Sequence, residues 1–387
     1  MFQKIFEAVE KHKEMILAAE ADIKAMPELA FREWKTHEYM KERFEALGYS
    51  LFIPGDIPGF YTDVETGRPG PMIAVFGELD ALICPGHPLA DPETGAAHVC
   101  GHNCQCASLL GLAAALKEPD VLDGLCGTIR LVAVPAEEGP TAAVREELKK
   151  ENTVRYFAGK PEFLYRGYLD GVELAMMIHT STSAKGLSCS NGSDGNMRKK
   201  TTFVGKAAHA GSSPHNGQNA LYAATAALAA ANALRETFQE KDYVRMHPII
   251  TKGGNVVNAI PDEVVLENML RAGDYRTLSE INKKVNRAYA GAAAAMGCRV
   301  LFDDIGGSAP RNNDQNLKEV FYQVGLDLFG EKNLNFNKSW ATGCSDMGDI
   351  SCVMPAIHPY VGGAKGEAHG INYTLVDPTF MEKSLKL

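Results

Sequence analysis

The 387-residue chain lacks several features that mark a protein's class directly. It has no block or stripe of lysine and arginine, and its formal net charge is −9, which argues against nucleic acid as a partner. No apolar run approaches the length of a membrane span. The first residues, MFQKIFEAVEKHKEMI, lack the apolar centre of a signal peptide. We therefore expect a cytoplasmic protein with reduced thiols and no membrane partner.

The chain also lacks the paired motifs of a structural zinc site or a thioredoxin-like redox site. The stretch AAHVCGHNCQC at 96–106 is rich in soft ligands, but no second CxxC or HxxxH accompanies it. Cys104 and Cys106 fall two residues apart in a predicted helix, where they do not share a face, so we expect them to pack. Cys100 and His102 precede that helix, and both could reach one metal ion.

The order of predicted elements indicates a two-domain α/β fold. Apolar stretches predict buried strands at 71–77, at 128–134 and in ELAMMIHT at 173–180. Helices are predicted at 3–25, at about 103–117 and at 314–329. This alternation is typical of a largely parallel sheet. We assign residues 1–190 and 305–387 to this metal-binding catalytic domain.

Residues 191–304 have a different pattern and are predicted to form an inserted domain. A strand, a long Ala-rich helix at about 217–238, two strands, a second helix and the strand CRVLFD follow one another. This β-α-β-β-α-β order is that of a small α+β domain of the ferredoxin-like type.

Two adjacent glutamates follow the second predicted strand, in PAEEG. Because Pro135 ends the strand, Glu137 and Glu138 can both turn into one site at the carboxyl edge of the sheet. One carboxylate on a metal ion and one on a water molecule would make a hydrolase pair. The alternative is a solvated surface pair.

Two histidines complete a possible ligand set. His179 ends a predicted strand, where a structural role is the alternative, and His369 lies in the glycine-rich GGAKGEAHG. The full set suits two borderline divalent ions that share a bridge and consists of Cys100, His102, Glu138, His179 and His369.

Four further side chains lie in motifs outside this set. In GELDAL, Glu78 precedes Asp80, and Asp80 could orient a ligand histidine. His209, in GKAAHAG of the inserted domain, could donate a hydrogen bond to a substrate oxygen. His98 has no assigned role.

The ordered motifs resemble the M20 metallopeptidases. GELDAL, HVCGHN, AEEG, GKAAHAG and GGNVVNAIPDEV occur in family order. PELAFREWKTHEYMKERFEALGY is similar to the opening of the amidohydrolase branch, which contains aminoacylases, hippurate hydrolases and auxin-conjugate hydrolases. GCSDMGDISCVMP is closest to the p-aminobenzoyl-glutamate hydrolase type.

The resemblance implies a catalytic domain with an inserted lid that dimerises, and a site for two ions, zinc or manganese. Cys100 would bridge or bind the metals, with the other four residues of the set as ligands. Glu137 would be the general base, and His209 would polarise the scissile carbonyl. Asn258 and Arg271 would hold a substrate carboxylate, with a turn asparagine and a surface arginine as the alternative.

The chain departs from the family pattern at three places. Asn103 stands where the branch often has aspartate, and Pro140 interrupts the glycines that usually follow EEG. The charged stretch REELKKENTVRYFAGKPEF, at 145–163, is predicted to be a loop that forms one wall of the site. These departures affect the substrate more than the metals.

The resemblance implies hydrolysis of the amide bond of an N-acyl or N-aroyl amino acid, or of a dipeptide-like substrate, by metal-activated water with Glu137 as the base. An aminohydrolase that acts on an aromatic amine is the alternative on the same scaffold. A non-catalytic module that holds a ligand in the same pocket is the alternative from another class.

Overall fold

The computed structural model describes residues 2–377 and Lys383. Its α-helices are α1 (Phe2–Lys11), α2 (Lys13–Lys24), α3 (Trp34–Ala46), α4 (His102–Ala115), α5 (Ala142–Glu151), α6 (Gly159–Tyr165), α7 (Ala220–Ala233), α8 (Tyr275–Ala295), α9 (Gln315–Phe329) and α10 (Met347–Ser351). None of these helices, within the described residues, has the length and apolar character needed to cross a membrane.

The strands of the described residues are mostly short. They are β1 (Phe60–Glu65), β2 (Met72–Glu78), β3 (Leu82–Ile83), β4 (Ala96–Ala97), β5 (Thr128–Val134), β6 (Leu174–Met176), β7 (His179–Ser181), β8 (Leu187–Cys189), β9 (Gly192–Ser193), β10 (Gly195–Val204), β11 (Arg245–Lys252), β12 (Glu263–Ala272), β13 (Arg299–Gly306), β14 (Arg311–Asn312), β15 (Leu334–Phe336), β16 (Trp340–Ala341), β17 (Ala356–Ile357), β18 (Tyr360–Gly362), β19 (Ala364–Lys365) and β20 (Thr374–Leu375).

The chain divides into two compact units. The first comprises Met1–Gly192, Asn312–Ser339 and Asp349–Leu387. The second comprises Ser193–Arg311 and Trp340–Gly348. The short segment 340–348, which sequence analysis assigned to the catalytic domain, therefore groups with the inserted unit.

The main sheet of the first unit is largely parallel and confirms the predicted α/β fold. Its strand order is β1-β5-β2-β6-β17. Only the edge strand β1 is antiparallel to its neighbour, while β5, β2, β6 and β17 run parallel. Because β2 and β5 are parallel, GELDAL and PAEEG leave the sheet at the same edge.

The segment ELAMMIHT differs from the single strand predicted for it. It forms β6 in the main sheet and β7 in a second sheet, of order β15-β8-β18-β7. The chain changes partner between them: Ala175 pairs with Ala356 of β17, whereas His179 pairs with Tyr360 of β18. His179 thus begins a new strand and does not end an old one.

Two other local predictions are wrong. The helix expected at 3–25 is two helices, because His12 leaves helical geometry (φ −97°, ψ 6°) between α1 and α2. The loop expected at 145–163 contains α5 and α6. The Thr141 hydroxyl accepts the Val144 N–H at the start of α5, and Asn152 ends it in the left-handed conformation (φ 53°).

The second unit has the predicted β-α-β-β-α-β order. Its four-stranded sheet, in the order β11-β12-β10-β13, is antiparallel throughout. Helices α7 and α8 bury alanines and larger apolar side chains in a core with Phe203, Leu266 and Tyr289. This strand order is the ferredoxin-like arrangement expected from the sequence.

Candidate metal centre

The first ligand cluster lies at the start of α4 and combines Cys100, His102 and His179. One ligand atom of each lies within 4.8 Å of the others. Gly101, between the first two, has a φ of 96°, and a Cβ there would lie 2.4 Å from Thr180 Oγ1. Only glycine therefore fits between the two ligands and allows the loop to pack against β7.

The tautomers of both histidines leave Nε2 for the site. His102 Nδ1 donates to the Asp80 backbone oxygen at 2.9 Å and lies 3.1 Å from Asp80 Oδ1. His179 Nδ1 donates to the Thr180 oxygen at 2.8 Å, and its Nε2 lies 3.4 Å from Cys100 Sγ. A histidine that donates through one nitrogen presents the other as a metal ligand.

The electrostatics of the two rings differ. Burial and the nearby His102 ring lower the pKa of His179 to about 4, which keeps it in the neutral form that binds metals. For His102, burial opposes charge, but the Glu78 carboxylate and the Cys100 sulfur raise the pKa well above its usual value. Negative groups that favour a proton on this ring would equally favour a metal cation beside it.

A second cluster shares Cys100 and adds Glu138 and His369. His369 Nε2 lies 3.4 Å from Cys100 Sγ and 3.2 Å from Glu138 Oε1. The Glu138 N–H donates to Asp80 Oδ2 at 2.8 Å, so Asp80 contacts a member of each cluster. Hydrogen bonding to Glu138 raises the pKa of His369. Burial by itself would raise the pKa of Glu138, but the His369 ring lowers it below the usual value.

The donor set fits two divalent ions. His102 Nε2 is buried and has no hydrogen-bond partner among the described residues. Orphaned polar atoms of this kind are costly unless something binds them. Thiolate, imidazole and carboxylate are ligands for zinc and related ions, and Cys100 belongs to both clusters, as a bridge would.

Glu137 lies on a strained turn beside these clusters. The preceding Ala136 adopts a left-handed conformation (φ 59°), which costs a residue with a Cβ roughly 1–2 kcal/mol. The Ala136 N–H donates to Glu33 Oε1 at 2.8 Å. A third cluster brings ligand atoms of Glu78, His102 and Glu137 within 4.8 Å of one another.

Three candidate residues lie in the second unit. Ala210 N–H donates to the Asn258 oxygen at 2.9 Å, which makes His209 and Asn258 close neighbours. His209 Nδ1 accepts the N–H groups of Gly211 and Ser212, both at 3.1 Å, so its proton is on Nε2. A ring in this tautomer can donate to a substrate oxygen.

Arg271 lies on β12 of the same unit. Its Nη1 donates to the Thr342 oxygen at 2.8 Å and contacts Cys344 Sγ at 3.2 Å. The segment 340–348 therefore fixes one nitrogen of the guanidinium, while Nη2 and Nε make no hydrogen bond with the described residues.

The remaining members of the opening motif pack inside the first unit. Cys104 and Cys106 are buried on α4, and Cys106 Sγ donates to the Glu78 backbone oxygen at 2.9 Å. Both ring nitrogens of the buried His98 lack a partner among the described residues. All nine cysteines fall within the described residues, and no disulfide joins any two of them.

Sequence reasoning missed three residues around the centre. Glu33 belongs to PELAFREW, a motif used only as a family marker. Glu78 has no assigned role in the sequence analysis, although it directly follows a predicted strand and lies two residues before Asp80. Lys160 was placed in a loop, and nothing in the sequence signalled that its ammonium is fully buried against Glu78.

Comparisons with known proteins agree with this geometry. Residues 191–295 match the M20 peptidase dimerisation domain. The chain is 28% identical to N-acetyl-L-cysteine deacetylase of Bacillus subtilis, over 75% of this chain and 67% of the relative. It is also 28% identical to one of the subunits of p-aminobenzoyl-glutamate hydrolase of Escherichia coli, over 87% of this chain and 66% of the relative.

A solved structure shares the fold along nearly the whole chain. It is a dinuclear metal-binding M20 peptidase of Bacillus subtilis, with a TM-score of 0.73, 20% identity and 97% coverage of both chains. Fold, metal-binding clusters and dimerisation domain together define a hydrolase of the metallopeptidase and amidohydrolase class. These matches bear out the resemblance to M20 metallopeptidases and amidohydrolases that the motifs predicted.

Proposed function

We propose that this chain hydrolyses the amide bond of an N-acyl or N-aroyl amino acid, or of a dipeptide-like substrate. The observation that carries the proposal is the pair of ligand clusters that share Cys100, with Glu137 beside them. The deacetylase and the p-aminobenzoyl-glutamate hydrolase among the relatives support this substrate class.

Five residues would hold two divalent ions, zinc or manganese, and bound ions of this kind lower the pKa of water and polarise a carbonyl. The ligands are Cys100, His102, Glu138, His179 and His369. Glu137 accepts the proton of the attacking water and delivers it to the leaving nitrogen. Asp80 orients His102 and the Glu138 backbone.

The residues of the second unit are assigned to the substrate. His209 donates its Nε2 proton to the carbonyl oxygen as negative charge develops there. Asn258 and Arg271 bind the free carboxylate, for which a guanidinium is well suited. The dimerisation domain supports a homodimer through this unit. A cytoplasmic location stays a prediction.

The direct test is a screen of N-acetyl amino acids, N-aroyl amino acids and dipeptides with added Mn²⁺ or Zn²⁺. Release of the free amino acid is expected. Release of ammonia from aromatic amines would instead support the aminohydrolase alternative, and metal-replete protein without turnover would support a binding module.

Glu137→Gln tests the general base. The amide keeps the shape of the side chain but cannot take a proton, so turnover should fall by roughly 10²- to 10⁴-fold while bound metal is retained. Glu146→Gln, which changes an exposed carboxylate on α5, is the matched control. Unchanged turnover in Glu137→Gln would remove Glu137 from the mechanism.

A further inference from the structure

A buried ion pair lies directly behind the first ligand cluster. Lys160 Nζ, on α6, lies 2.5 Å from Glu78 Oε1, and the two side chains are 0% and 1% exposed. Burying two charges costs several kcal/mol per ion, and a well-packed apolar pair is often as stable or about 1–4 kcal/mol more stable. Stability alone is therefore a weak reason for a lysine and a glutamate at these positions.

The second oxygen of Glu78 faces the site. Glu78 Oε2 accepts the Gln105 Nε2–H at 2.9 Å and lies 3.1 Å from His102 Nε2. The two atoms form an ion pair when the ring is protonated on both nitrogens. The Nδ1 proton points toward Asp80. A metal cation in place of the Nε2 proton would contact the same ring nitrogen and the same carboxylate oxygen, and the carboxylate would favour it as it favours the proton.

Glu137 completes this arrangement from the other strand. Its carboxylate lies within the same 4.8 Å group as the Glu78 carboxylate and the His102 ring. We propose that Glu78 is a sixth metal ligand, on the His102 side of the centre, and that Lys160 is a positioning residue that holds it there. This inference rests on the proposed metal-dependent function.

An added carboxylate changes which ion the centre prefers. Oxygen ligands suit Mn²⁺, whereas thiolate and imidazole suit zinc. Glu78 therefore adds oxygen character to a cluster otherwise made of one sulfur and two nitrogens. Its removal should weaken Mn²⁺ binding more than Zn²⁺ binding, a difference that a purely structural ion pair would not produce.

The test measures metal binding by the full-length protein, without substrate. Chelator-treated wild type, Glu78→Gln, Lys160→Met and the double variant are titrated with Mn²⁺ and with Zn²⁺, and thermal unfolding is followed in parallel. The double variant removes both charges of the Lys160–Glu78 pair, so it should lose less stability than Glu78→Gln alone. Its Mn²⁺ affinity should still fall at least about tenfold, the effect typical of lost metal-site contacts.

Two further variants keep the result interpretable. Glu78→Asp preserves the charge opposite Lys160 but draws the oxygens back by one methylene, so it should lose Mn²⁺ affinity with a smaller loss of stability. The control is the double variant Lys199→Met with Asp304→Asn, which removes the ion pair between another buried lysine and an exposed aspartate, in the second unit. Metal affinity should be unchanged there.

Wild-type affinity for both metals in the Glu78→Gln/Lys160→Met variant would overturn the inference, because Glu78 would then be only a partner for Lys160. A wild type that binds no metal would overturn both this inference and the proposed function. A wild type that binds two ions but cleaves no amide would remove the proposed function alone.

Discussion

Two fully buried glutamates lie near the centre, and their pKa values shift in opposite directions. Burial raises the pKa of any carboxyl, but the Lys160 ammonium and the His102 ring lower the pKa of Glu78 to about 2. Glu33 accepts hydrogen bonds from backbone N–H groups. Burial and the nearby charge of Asp80 nevertheless raise the pKa of Glu33 well above the usual range. Equal burial thus goes with a lowered pKa beside a cation and with a raised pKa without one.

The two glutamates support the centre in different ways. Glu78 brings negative charge to the ligands. Glu33 brings a hydrogen-bond acceptor to the turn that carries Glu137, through the Ala136 N–H. The first role depends on charge, whereas the second needs only a hydrogen-bond acceptor, so conservative substitutions should affect the two residues differently.

The largest difference is expected for loss of charge at Glu78. Glu78→Gln removes a carboxylate that contacts the buried Lys160 ammonium, and breaking a buried ion pair in this way should lower the free energy of unfolding by about 3–5 kcal/mol. Urea unfolding of the metal-free protein measures it. Glu33→Gln is the matched control, and an equal loss in both variants would refute the opposite pKa shifts of the two glutamates.

An intermediate effect is expected when Glu33 loses its acceptor. Glu33→Leu leaves the Ala136 N–H unpaired, at a cost of about 1–3 kcal/mol. Since this turn aims Glu137, kcat should fall more than KM changes, and Glu33→Gln should restore it. Steady-state kinetics with the substrate found in the screen decide this, and a change in KM alone would contradict a positioning role.

The smallest effect is a pH dependence of stability. The folded-state pKa of Glu33 is raised above its unfolded value, so the folded protein binds more protons between the two pKa values. The contribution of Glu33 to stability is then greatest below the unfolded pKa and is lost as pH rises. Glu33→Gln, which cannot ionise, should gain stability relative to wild type as the pH rises above 4.5, the ordinary pKa of a glutamate. A constant difference across that range would show that Glu33 is already charged.

Strand ends were the part of the site that sequence patterns could locate. Pro135 after an apolar run fixed where β5 stops, and parallel strands end at one edge, which brings Glu138 toward Asp80. His179 was found for a partly wrong reason, since it opens a strand of a different sheet. Its apolar flank was visible, but the change of strand partner depends on Tyr360, which is far along the chain.

Side-chain partners within the core were beyond reach of the sequence. Lys160 lies in a charged stretch that is indistinguishable by composition from a solvated loop. Its burial depends on Glu78, which is distant in the chain. Glu33 is likewise defined by one long-range hydrogen bond, from Ala136. Local patterns give periodicity and chain breaks, whereas these roles arise only once tertiary packing has formed.

The shared thiol of Cys100 has a consequence for how the protein is made. A ribosome synthesises Cys100, His102 and His179 before the inserted unit begins at Ser193. His369 emerges only after that unit is complete. Domains tend to fold as units in order of synthesis. The residues of the first ligand cluster are thus present in the nascent chain long before the second cluster is complete. The two halves of one centre are therefore available for folding at different times during translation.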